Sequence, residues 1–162
     1  MTSIQYFRFE EDFMEDGIRC IPMIVRLKLD LSGVKLKLAE WCRFSVDERS
    51  MFADLPCVTE EECRRYKQLL VAAVQKYTGM MPSFIPVVLA PVWTDTGMIY
   101  QPVNDQAAIY NRYIMLSEWR ALTDLQRFAL VKLCRPGHEN KNFIKAMNEF
   151  ALTTENESLL SY

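Results

Sequence analysis

Two stretches of this chain can be laid over one another without a gap, and this constrains the fold more than any other feature. LAEWCRFSVDERSMFADL, from Leu38 to Leu55, sits above LSEWRALTDLQRFALVKL, from Leu116 to Leu133, at a constant offset of 78 residues. The identical pairs are Leu38/Leu116, Glu40/Glu118, Trp41/Trp119, Arg49/Arg127 and Leu55/Leu133, while Ser45/Thr123 and Glu48/Gln126 match in kind. The shared pattern, L-x-E-W-x-x-[F/L]-[S/T]-x-x-[E/Q]-R, predicts a short helix bearing the Glu and the Trp. A second helix follows, opened by a capping box in which the hydroxyl and the acidic or amide side chain each satisfy a backbone N–H. The Trp is large enough to cover the joint. The Glu is expected to reach the Arg across it, as Glu40–Arg49 and Glu118–Arg127, because a bidentate Arg–carboxylate pair would fix the angle. These six residues are read as packing elements rather than chemistry. The expectation is an internal duplication with a pseudo-twofold relation inside one domain, 1–162, with halves at about 20–79 and 103–152.

The surrounding pattern is helical, pointing to an all-α bundle of about six to eight helices. After the capping box Thr59-x-x-Glu62, residues Cys63, Tyr66, Leu69, Leu70, Ala73, Val74 and Tyr77 form one stripe at helical spacing, and Gly79 is placed to end it. Asp124–Cys134 is apolar almost all round, as a central helix would be. Glu139–Ala151 carries Phe143, Ile144, Met147 and Phe150 on one face. One segment is two-sided. Val25, Leu27, Leu29 and Leu31, then Val34, Leu36 and Leu38, alternate about Ser32-Gly33 and read as a β-hairpin over 24–38. Pro22 at a helix start and Gly33 past its end favour instead a helix from about Pro22 to Leu31. Residues 80–102 hold Pro82, Pro86, Pro91 and Pro102 and read as a long connection, pinned by Trp93 and the run Ile85–Leu89.

Several function classes lose support. Net charge is −2, with basic and acidic residues interleaved, so the basic stripe of a nucleic-acid binder is missing. No apolar run approaches the roughly 20 residues that span a bilayer. The N-terminal residues lack the basic and apolar regions of a signal peptide. The five cysteines, Cys20, Cys42, Cys57, Cys63 and Cys134, are odd in number and irregular in spacing. Free thiols and a cytoplasmic location are therefore expected.

Chemistry-bearing residues are few. The single histidine, His138, stands in Arg135-Pro-Gly-His-Glu-Asn-Lys-Asn-Phe143, and no zinc ligand set or phosphate loop is recognisable. Cys20 and Cys134 each adjoin an Arg that could lower a thiol pKa. The acidic run Glu10–Asp16 lacks the ligand spacing of an EF-hand and reads as a solvated face. Dense polarity beside an apolar helix makes Arg135, His138, Glu139, Asn140, Lys141 and Asn142, with Arg19 and Cys20, a candidate interaction surface. No catalytic, cofactor-binding or metal-binding set emerges, and a non-enzymatic role is expected. The alternative is a small enzyme or ligand-binding domain using Cys20 or His138 with arginines.

A whole-chain likeness gives the biological direction. Phe7-Arg-Phe-Glu-Glu-Asp-Phe13, Arg19-Cys-Ile-Pro-Met-Ile-Val-Arg26, Lys28-Leu-Asp30, Gly33-Val-Lys-Leu-Lys-Leu38, Trp41, Gln126-Arg-Phe-Ala-Leu130 and Arg135–Phe143 resemble the nitrate reductase-associated protein family. The resemblance implies an accessory role in nitrate assimilation, with nitrate reductase or a factor serving it as partner. It supplies no catalytic residue set and no cofactor.

Overall fold

A computed structural model describes residues 6–11 and 20–155. Among these residues there are nine α-helices, two 3-10 turns and one two-stranded sheet, as the helical patterning requires. The chain divides into two compact units between Leu89 and Ala90, inside the proline-rich stretch.

The first unit contains α1 (Arg8–Glu11), α2 (Met23–Ser32), β1 (Val34–Lys35), α3 (Leu38–Trp41), α4 (Val46–Asp54), α5 (Glu60–Thr78) and β2 (Ser83–Phe84). The two-sided segment is a helix. Pro22 is extended at its N-cap, one position earlier than N1, and Gly33 closes it in the left-handed conformation at φ 76°. Alternation continues only into β1, which pairs antiparallel with β2, Val34 opposite Phe84, rather than folding back on α2. Period-2 and period-3.6 readings compete over so short a run, and the Pro–Gly pair decides between them. Val25 and Leu29 from α2, Trp41, Phe44, Phe52 and the α5 stripe Tyr66, Leu70, Ala73 and Val74 build the core. The Ser45–Glu48 and Thr59–Glu62 capping boxes both form.

Gly33 also admits the sheet. A Cβ there would meet Ile85 O at 2.9 Å and Val87 Cγ2 at 3.0 Å, on a backbone already in the left-handed region. Ile85 N donates to Gly33 O at 3.0 Å just beside it. Gly33→Ala is expected to cost about 2 kcal/mol of unfolding free energy in a denaturant titration. A loss below about 0.5 kcal/mol would show that the β1–β2 contact contributes little.

The second unit contains a 3-10 turn (Val92–Thr94), α6 (Gln101–Ile109), α7 (Leu116–Ala121), α8 (Asp124–Leu133), a 3-10 turn (His138–Lys141) and α9 (Asn142–Glu149). Helix α8 buries Leu125, Phe128, Ala129, Leu130, Val131 and Leu133 and touches α6, α9 and both 3-10 turns, so its nearly uniform apolarity reflects a surrounded position. The connection is anchored differently from expectation. Trp93 is buried, with its ring edge-on to Phe128 at 6.0 Å, but Val87, Val88 and Leu89 are exposed. Strand β2 and Ile85 hold the earlier part through backbone hydrogen bonds to β1 and Gly33, which satisfy the chain without burying the apolar run. Glu10 departs from the solvated-face reading too. It is buried and accepts from Phe7 N and Met23 N, tying α1 to the start of α2.

Candidate functional site

The paired Trp motifs reach the same local structure as far as their helices and caps. Helices α3 and α7 begin 78 residues apart, as do α4 and α8. Trp41 and Trp119 are both 0% exposed. Glu40 accepts from Lys37 N at 2.8 Å and Glu118 from Met115 N at 3.0 Å, each turning back to cap its own short helix.

That capping role removes the expected Glu–Arg pairs. Glu118 further accepts from the Thr154 hydroxyl and does not meet Arg127. The Arg127 guanidinium, 6% exposed, instead donates through Nε to Trp93 O at 2.9 Å. Its Nη1 donates to Trp119 O at 3.2 Å and Leu122 O at 2.6 Å, and Nη2 meets Asp124. Leu122 O, left over where α7 ends, needs a donor, and a planar five-donor group one turn into α8 supplies it while adding a second bond to Trp119 O, which already accepts from Leu122 N. A glutamate at N3 is closer to the orphan N–H of its own helix than to that arginine. Arg49 is equally buried, yet its Nε meets no acceptor. The two arginines therefore share a position and differ in environment.

Trp119 Nε1 donates to Asp95 O at 2.8 Å and Arg120 Nε to Thr96 O at 2.8 Å, so α7 fastens residues 93–96 to its own unit. Trp41 packs against Phe44 with ring centres 5.9 Å apart.

The candidate surface resolves into supports and exposed groups. Arg135, Pro136 and Gly137 leave α8 exposed, with Gly137 at φ 146°. Asn140 folds the turn back: its amide nitrogen donates to Leu133 O at 3.1 Å and Arg135 O at 3.2 Å, and its oxygen accepts from Gln106 Nε2 at 2.9 Å. Asn142 is buried, and its Oδ1 has no partner. Lys141 is exposed. The backbone of His138 and Glu139 lies in the 3-10 turn, but their side chains are outside the described residues, as is Arg19. Cys20 is half-buried in the first unit, whereas His138 belongs to the second. Cys134 is buried, donates to Val131 O at 3.1 Å, and has its thiol pKa raised by burial despite the neighbouring Arg135. That environment suits an inert core thiol rather than a nucleophile.

Sequence reasoning missed Gln106, the buried support of the Asn140 turn, because its only signal is a tertiary contact. It also missed a polar group in the first unit. Lys28 is buried and donates to Ala53 O at 2.6 Å, and burial lowers its pKa. Cys57 Sγ lies 3.7 Å from Lys28 O and 3.3 Å from Cys63 Sγ. Burial, reinforced by Cys63, pushes the Cys57 thiol far above its usual range. Tyr66 donates to Phe52 O at 2.9 Å, and burial raises its pKa well above normal. A half-open cleft of about 300 Å³ is lined by Leu55, Pro56, Glu62, Arg65 and Tyr66. The short spacing of Cys57 and Cys63 was the only sequence hint of this group.

Among the described residues no cluster of three or more His, Cys, Asp or Glu is placed to hold a metal ion. No helix among them is long and apolar enough to cross a membrane. A family model described as conserved nitrate reductase-associated protein matches residues 6–150. No curated protein and no solved structure matches the chain.

Proposed function

Because the chain belongs to the conserved nitrate reductase-associated protein family, we propose that it serves assimilatory nitrate reductase as a non-enzymatic accessory protein acting through protein contact. The family match carries the association with nitrate reductase, and the chemistry of the residues supports the rest. Arg127, the most polar element of the shared motif, spends its donors on helix-end carbonyls. Cys134, one of two cysteines beside an arginine, is buried and hard to ionise. Among the described side chains of the turn after α8, Arg135, Pro136 and Lys141 are exposed, on a backbone held in place by Asn140 and Gln106. A turn fixed from beneath with cations on its outside suits recognition of an acidic partner surface at low ordering cost. The cytoplasm is the expected compartment, since the five cysteines have no partner-forming arithmetic for a secreted framework.

The test is a strain lacking this chain. It is expected to lose most of its nitrate reductase activity while keeping the reductase polypeptide. Tagged wild-type chain should retain the reductase or one of its maturation factors on a resin, and the Arg135→Glu/Lys141→Glu double variant should retain much less. Normal nitrate reductase activity in the deletion strain would defeat the reading.

A further inference from the structure

We propose that Cys57 and Cys63 form a redox modification site that closes to an intramolecular disulfide by exchange with a small zwitterionic disulfide of the glutathione type. Three independent features of the first unit meet here. The two sulfurs already lie 3.3 Å apart, within a little more than 1 Å of the bond of about 2.0 Å that closure would make. Pro56 and Glu62, each just before one of the cysteines, line the cleft of about 300 Å³, where Arg65 offers a cation and Glu62 an anion. That pairing matches the carboxylates and ammonium of a peptide-like disulfide. Lys28 adds a buried positive charge on the Cys57 side.

The residues divide the step between them. Neither sulfur lines the cleft itself, but Cys63 is half-buried whereas Cys57 is buried and its thiol is pushed up by that burial, so Cys63 is the one to attack first. Its thiolate sulfur forms a bond to one sulfur of the small disulfide, the old S–S bond breaks, and one thiolate leaves to take up a proton. Burial, the main force against ionisation of Cys57, persists, so this second step is the slower one; the mixed disulfide removes only the opposition of the Cys63 thiol, and Lys28 still favours the anion. Cys57 gives its proton to solvent and its sulfur attacks Cys63 Sγ. The second small thiolate then leaves. Two protein thiols are oxidised and one small disulfide is reduced to two thiols, with no other electron acceptor.

The measurement is the intact mass of the full chain after incubation with glutathione disulfide, with peptide mapping after thiol blocking. A loss of two hydrogens, mapped to a Cys57–Cys63 link, with thiols falling from five to three, is expected. Cys57→Ser should stop at a glutathione adduct on Cys63, and Cys63→Ser should abolish oxidation of the pair. Arg65→Glu should slow closure by glutathione disulfide several-fold while leaving closure by neutral hydroxyethyl disulfide unchanged. Five thiols surviving in the wild-type chain, or a link made elsewhere, would overturn the site. An equal rate with both oxidants in Arg65→Glu and wild type would remove the cleft from the proposal.

Discussion

Arg127→Met is expected to lower the unfolding free energy by about 3–4 kcal/mol, although it replaces a charge with an apolar side chain of similar length. The guanidinium satisfies Trp93 O, Trp119 O and Leu122 O at once, and all three bonds are buried. Trp119 O keeps the Leu122 N–H, so Trp93 O and Leu122 O are the acceptors left without a donor, each at a cost of about 1–3 kcal/mol, and some of the loss is recovered by relaxation and by Asp124 returning fully to water. The counterpart Arg49→Met is expected to fall within about 1 kcal/mol of zero, or to stabilise. It withdraws a buried charged group whose Nε has no acceptor and substitutes apolar volume. Urea titrations of the two variants decide the matter. Equal losses would mean that the positions are energetically alike, contrary to the hydrogen bonds.

Trp119→Ala is expected to cost about 3–5 kcal/mol, the range for removing a large aromatic from a fully packed site. The side chain is completely buried, and its indole N–H is the donor to the carbonyl of exposed Asp95, so the substitution leaves a cavity and breaks the bond that holds the 93–96 segment. Trp119→Phe separates the two effects, because it keeps most of the ring volume and loses the N–H; about 1–2 kcal/mol should remain. Hydrogen exchange should accelerate at the amides of residues 92–96, the segment that α7 fastens. If exchange there is unchanged while global stability falls, the Trp119–Asp95 bond has no anchoring role.

Both predictions turn on what could and could not be read in advance. The offset of 78 residues located the two Trp-bearing helices, their following helices and the Ser45 and Thr123 caps. These are local events: a cap needs only a hydroxyl and an acid or amide three residues on, and burial of Trp follows from its size. The α5 stripe was legible for the same reason, since helical spacing alone sorts Tyr66, Leu70, Ala73 and Val74 onto one face. The Glu–Arg partnership failed because each side chain found a nearer backbone group. Pairing charges by sequence ignores orphan N–H and C=O groups at helix ends, which compete for the same donors and acceptors. The run Ile85–Leu89 failed differently, since apolar composition reports a tendency toward burial and a strand held by backbone bonds can leave side chains in water.

The candidate surface divides along the same line. Arg135, Pro136 and Gly137 could be expected outside from composition, but the supports Asn140 and Gln106 stand 34 residues apart and meet only after folding. Cys57, Cys63 and Lys28 are likewise assembled from a loop and two helices.

The amino-acid order alone determined the helical class, the capped starts and the likeness to the nitrate reductase-associated family, and it favoured a helix over a hairpin at Pro22–Gly33 without deciding it. All of these rest on spacings of a few residues or on a pattern spread over the whole chain. Only the tertiary structure decided which buried polar group meets which partner. Such partners are chosen by distance in space, where two arginines at matching positions can be given four bonds in one unit and an unanswered Nε in the other.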